Sequence, residues 1–122
     1  MQVPAVMFSV RMVAGADVHR ELAALVGPTR AQPGCLRCTL LRDEENPAAL
    51  ELVEEWASRA DLDRHFRSED CRRLLAAAEL AAEAPSFRID TVAAREGIEA
   101  IAAARGQSSD FTTRPETGLP SQ

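Results

Sequence analysis

Glu54, Trp56 and His65 are the residues of this chain whose types and spacing could do chemistry. A carboxylate and an indole two residues apart share a face wherever the backbone is a strand. The stretch Leu50-Glu51-Leu52-Val53-Glu54-Glu55-Trp56 reads as one, with Leu50, Leu52, Glu54 and Trp56 pointing the same way. Ser58 then offers its hydroxyl to the free amides of a helix start, and Asp61 stands three residues on as a weaker form of the capping box. Along that helix Leu62 and Phe66 are one turn apart and His65 flanks them. A carboxylate, an indole and an imidazole therefore leave two consecutive elements near one another. His65 could serve as general base, because the unperturbed imidazole titrates near working pH; it could equally be a half-exposed residue on the helix flank. Glu54 could orient His65 or bind a substrate hydroxyl, or be satisfied by Arg11 or Arg37 from a neighbouring strand. Trp56 could stack on an aromatic substrate or be the largest piece of core. Phe8, Leu52 and Phe66 are the apolar residues placed to line such a site.

The remaining reactive side chains suggest less. Cys35-Leu36-Arg37-Cys38 has CxxC spacing, but in a strand residues three apart point to opposite faces, and no second pair completes a zinc site. Structural thiols and no metal are expected. His19, on the polar side of a first helix, reads as surface. All 14 basic residues are arginine and tyrosine is absent, which excludes Schiff-base chemistry on lysine and a phenolic acid or base. A net charge of −5 argues against nucleic acid or an anionic membrane as partner. No window approaches the ~18 apolar residues of a membrane span, the first residues do not read as a signal peptide, and three cysteines fit a reducing compartment. The expected location is the cytoplasm.

The elements that must position these residues follow from hydrophobic periodicity. Val3 to Val13 alternates as a strand. Asp17 is a plausible cap for a helix carrying Val18, Leu22, Leu25, Val26 and Thr29, with a kink or early end expected at Gly27-Pro28 and a stop at Gln32-Pro33-Gly34. Cys35–Arg42 and Leu50–Trp56 flank a polar turn and should form a hairpin. Ser68-Glu69-Asp70 caps a further helix with Cys71, Leu74, Leu75, Ala78 and Ala82 as its apolar stripe, and Ser86–Val92 reads as a fourth strand. The order β-α-β-β-α-β is the ferredoxin-like split βαβ arrangement, α+β with a four-stranded antiparallel sheet, over residues 1–92. Residues 93–122 should add a C-terminal helix, through Ile98 and Ile101, and a polar tail from Gly106. Two helices cover one face of such a sheet, and apolar residues on both faces of the strands lead us to expect a homodimer.

The run Pro28-Thr29-Arg30-Ala31-Gln32-Pro33-Gly34-Cys35-Leu36-Arg37, the following Leu40-Leu41-Arg42-Asp43, and Glu54-x-Trp56 with His65 nine residues later resemble the antibiotic biosynthesis monooxygenase family. The resemblance spans roughly Val3 to Val92. It implies a dimeric α/β barrel and, as in some members, oxidation of anthrone- or quinol-like aromatics by molecular oxygen without a bound cofactor. Others degrade haem or isomerise small ketones. Haem-degrading relatives use an asparagine on the first strand and a histidine on the helix around residues 69–82; this chain has neither. Where many relatives carry tyrosines it has Cys38 and Val53. The expectation is thus a cofactor-independent monooxygenase with His65 and Glu54 as catalytic residues, and Trp56, Phe66, Leu52 and Phe8 holding a small aromatic substrate beside O2. The alternative is a non-catalytic dimeric module that binds a small ligand or partner, or a related isomerase.

Overall fold

The computed structural model describes residues 3–107. The chain divides into two compact units, Met1–Val92 and Ala93–Gln122. In the first, the elements are β1 (Val6–Val13), α1 (Ala16–Arg30), β2 (Cys35–Arg42), β3 (Ala49–Trp56), α2 (Arg59–Phe66), α3 (Glu69–Ala78) and β4 (Ser86–Thr91). The four strands form one antiparallel sheet in the order β2-β3-β1-β4. This is the ferredoxin-like α+β arrangement. In the second unit, α4 (Ile98–Ala104) follows Gly97, and Ile98 and Ile101 are exposed. Most of the polar tail expected from Gly106 lies outside the described residues.

Alternation decides what each strand buries. On β1, Val6, Phe8, Val10 and Met12 turn inward, and on β3 Leu50, Leu52, Glu54 and Trp56 do the same. Against them pack Val18, Leu22, Leu25 and Thr29 of α1, Leu62 and His65 of α2, and Cys71, Leu74, Ala77 and Ala78 of α3. The opposite face carries Met7, Ser9, Arg11, Glu51, Val53 and Glu55, whose side chains are partly or fully exposed. It is more polar than the strand patterns suggest, since β4 contributes Ser86, Arg88 and Asp90 to it. Cross-strand register sets Glu51 opposite Arg11 and Glu55 opposite Arg37, which accounts for two carboxylates on a central strand.

Several local expectations are corrected. The N-cap of α1 is Gly15, with Asp17 in the first turn, and the helix runs past Pro28 to Arg30. A proline near a helix end displaces little, because few intrahelical bonds remain beyond it. α3 stops at Ala78, so Ala82 lies outside it, and Leu75 points to solvent. Phe87 and Ile89 of β4 register with the inward residues Val10 and Phe8, yet they are 47% and 40% exposed because β4 is the edge strand.

Candidate functional site

The site is built where β3 ends and α2 begins. Glu54 and Trp56 sit two residues apart on the inward face of β3, close enough for the indole Nε1–H to donate to Glu54 Oε1 at 2.9 Å. The chain then enters α2 through a real cap. The Ser58 hydroxyl accepts from the Asp61 amide at 3.1 Å and donates to the Asp61 carboxylate at 3.0 Å. This geometry fixes the first turn of α2, and with it the direction of His65 one and a half turns later. Ser68 closes the other end: its hydroxyl donates to the His65 carbonyl at 2.6 Å and accepts from the Cys71 amide at 3.1 Å, starting α3.

His65 is thereby brought onto the pair. Its ring stacks on Trp56 with centroids 4.7 Å apart and planes 25° apart. Its Nε2 lies 3.2 Å from Glu54 Oε1, within ion-pairing reach but outside hydrogen-bonding direction. Glu54 and His65 are each 1% exposed and Trp56 is fully buried. The half-exposed histidine weighed from sequence is therefore corrected: α2 turns that edge inward, onto the sheet. Neither Arg11 nor Arg37 satisfies Glu54, because both leave the sheet on its other face, where Arg11 pairs with Asp43 at 2.9 Å. Phe8 and Leu52 are buried beside the pair, and half-buried Phe66 meets Phe8 edge to face at 5.1 Å. All six residues singled out from the sequence thus belong to one cluster.

Two polar atoms in this cluster have no hydrogen-bond partner among the described residues, Glu54 Oε2 and His65 Nε2. Unsatisfied buried polar atoms are uncommon in native proteins and call for an account. Three clefts at the surface are lined by other residues. One of 350 Å³ lies between α1 and α3, lined by Val18, Glu21, Arg73, Ala77 and Leu80 among others. Another of 340 Å³ lies on the open sheet face against Met7, Arg11, Val53 and Arg88. A third, also of 340 Å³, lies at the start of α1, beside His19 and Arg42. There Arg42 contacts the His19 ring at 2.8 Å.

Three residues belong to this neighbourhood that sequence reasoning did not place there. Gln32, which reads as a helix stop, puts its side-chain oxygen 2.9 Å from His65 Nδ1. Its amide nitrogen donates to Asp70 at 2.9 Å, a residue that reads as a capping acid. Cys71 lies near enough to Glu54 for the carboxylate to bear on its thiol. The thiols are also differently arranged from a regular strand. A bulge between Cys35 and Arg37 inserts Leu36, so Cys35 pairs with Trp56 and Cys38 with Glu54, both on the inward face. The expectation that they point apart is corrected for that reason. Burial, and then the Glu54 charge, push the Cys38 thiol up to about 12 and the Cys71 thiol up to about 11. Burial also raises Cys35. Protonated thiols are poor nucleophiles and poor ligands, and no group of three or more His, Cys, Asp or Glu among the described residues is arranged to hold a metal ion.

A ferredoxin-like α+β unit with a buried carboxylate–indole–imidazole cluster between sheet and helices defines the class. Residues 1–77 match the family model described as antibiotic biosynthesis monooxygenase, and the chain belongs to that family. No curated protein matches the sequence. The fold is similar to that of a Pseudomonas aeruginosa protein at 28% identity, with 79% of this chain and 98% of that one covered and a TM-score of 0.64. It is likewise similar to SnoaB, a cofactor-independent oxygenase from Streptomyces nogalater, at 21% identity, 75% and 95% coverage and a TM-score of 0.64. A conserved protein from Methanosarcina mazei shares the fold at 20% identity, 72% and 92% coverage and a TM-score of 0.66. Among the described residues no helix is long and apolar enough to cross a membrane.

Proposed function

We propose that this protein is a cofactor-independent monooxygenase that oxidises a small hydroxylated aromatic with molecular oxygen, the Glu54–His65 pair acting as base. The observation that carries the reading is the pair of unsatisfied polar atoms, Glu54 Oε2 and His65 Nε2, inside an aromatic and aliphatic enclosure. A phenolic hydroxyl, or an activated methylene beside one, is a group that could approach both and lose a proton to them. Phe8, Leu52 and Phe66 supply apolar surface for its ring, and Trp56 holds the imidazole face on. The substrate enters only if the α2 side opens, since the helices close over the pair in this structure.

Once deprotonated, an anthrone-like methylene is electron-rich enough to reduce oxygen itself. Carbon gains one oxygen atom as a carbonyl and the other leaves as water. The four electrons come from the methylene, so no outside reductant is required. The protein's share is to position the ring, take the proton and keep water from quenching the anion. Membership of the family, and the likeness of fold to an enzyme titled a cofactor-independent oxygenase, support this reading.

A second reading, a non-catalytic module, is favoured by the closed packing over Glu54 and His65. Oxygen uptake with a panel of anthrones and hydroquinones separates the two. General base catalysis contributes about 10²–10⁴-fold, so His65→Ala should lower turnover of a competent substrate by that much. A variant as fast as wild type would remove His65 as the base, and a panel without any turnover would favour the module.

A further inference from the structure

The hydrogen bonds that leave the catalytic pair outward carry more information than the pair itself. Gln32 bridges two groups: its side-chain oxygen faces His65 Nδ1 at 2.9 Å and its side-chain nitrogen faces Asp70 Oδ2 at 2.9 Å. A carboxylate only accepts, so Asp70 must receive the amide N–H, and this sets which end of the Gln32 amide is which. The oxygen then turns to His65, where it can only accept. Nδ1 must therefore carry the proton, and Nε2 is the nitrogen left to exchange one with Glu54 or a substrate.

The backbone holds Gln32 in this place. It occupies the first position of a tight turn, with the Cys35 amide bonded to the Gln32 carbonyl at 3.2 Å, Pro33 following, and Gly34 at φ 84°. Gly34 is needed for space as well as for its dihedral, because a Cβ there would lie 2.2 Å from Cγ of Asp61. Asp61 is the first-turn residue whose amide and carboxylate bond to the Ser58 cap of α2, so the turn that presents Gln32 and the helix that presents His65 are packed directly on each other.

We propose that Gln32, oriented by Asp70, is the positioning residue that fixes His65 in its Nδ1–H tautomer and so aims the basic Nε2 at Glu54 and the substrate. Its catalytic consequence rests on the reading of His65 as base; the tautomer itself does not. The test has two arms. In the first, nitrogen-15 spectra of the intact protein at pH 7 report which ring nitrogen of His65 is protonated, with no substrate present. Wild type should show a protonated Nδ1. Gln32→Leu removes the acceptor, and the proton should move to Nε2, where Glu54 Oε1 stands 3.2 Å away. The paired exchange Gln32→Glu with Asp70→Asn keeps an acceptor for Nδ1–H and a donor from position 70, and should restore the wild-type pattern. It also covers the case in which Gln32→Leu does not fold. Nδ1 unprotonated in wild type, an unchanged tautomer in Gln32→Leu, or no restoration in the pair each overturns the proposal.

The second arm uses a substrate found by oxygen uptake. Gln32→Leu should lower kcat by about 10²-fold, the scale of a misplaced catalytic group, with KM little changed, and the paired exchange should recover most of it. Wild-type kcat in a Gln32→Leu protein whose tautomer has switched would overturn the catalytic consequence. If instead the tautomer behaves as stated while His65→Ala keeps full turnover, the base assignment fails and the positioning of the ring stands.

Discussion

The two faces of the sheet carry the same kinds of side chain and use them differently. Glu54 on the inward face of β3 is 1% exposed and meets an indole and an imidazole. Glu51 and Glu55 on the outward face stand opposite Arg11 and Arg37 with access to solvent. On the outward face water screens each charge and the pairs contribute little. On the inward face a carboxylate without water must be matched by its neighbours, and removing any one of them has consequences out of proportion to its size. The inward face is therefore where the loss of one neighbour matters most, while three surface clefts are lined by other residues.

The comparison is broken most directly at Trp56. Loss of a buried tryptophan side chain costs about 3–5 kcal/mol, and Trp56→Ala also takes away the donor to Glu54 Oε1. Asp90→Ala on the outward face, whose exposed carboxylate pairs with nearby Arg88, should stay within about 0.5 kcal/mol. Denaturant unfolding of the two variants at one protein concentration measures both. Comparable losses would mean that the faces do not differ in the way described.

A smaller effect comes from the thiols, which only the inward face buries. Cys38 and Cys71 are held protonated up to about 12 and about 11, whereas thiols of an unfolded chain ionise near ~8.5. Between those values the unfolded chain releases protons that the folded chain keeps, so rising pH favours unfolding. Stability should be unaffected by these groups below pH ~8.5 and fall as pH rises from there towards 11–12. Cys38→Ala with Cys71→Ala should flatten the fall, as read from unfolding midpoints across that range. An unaltered slope would show that the thiols are not buried as the packing indicates.

The outward face should show the least effect on the folded chain and its effect instead on association. We expect a homodimer through this face, where Met7 and Val53 lie among the charges. Sedimentation at micromolar concentration should find a dimer, and Val53→Asp should give monomers with an intact fold. A monomeric wild type would remove this part of the comparison.

Much of the arrangement is written in local pattern. The period-two alternation of β1 and β3 is visible in residue order alone, and the caps at Ser58 and Ser68 and the Pro33-Gly34 turn are satisfied by atoms a few residues away. Such signals survive without knowledge of the fold, which is why the order of elements and the cluster of Phe8, Leu52, Glu54, Trp56, His65 and Phe66 could be read from them. The exceptions are equally physical. Cys35 and Cys38 share the inward face because a bulge is a property of two strands in register, not of one. Phe87 and Ile89 stay exposed because edge position is set by the whole sheet order.

The sequence by itself determined which residues could share a face and which elements would present them. Only tertiary structure decided that His65 is buried rather than flanking, that Glu54 meets Trp56 and His65 rather than an arginine, and that Gln32 reaches an imidazole 33 positions away. Periodicity specifies direction from a single element, and it carries no information about what stands opposite. Partner choice depends on how sheet and helices dock, and docking is a sum over the whole core.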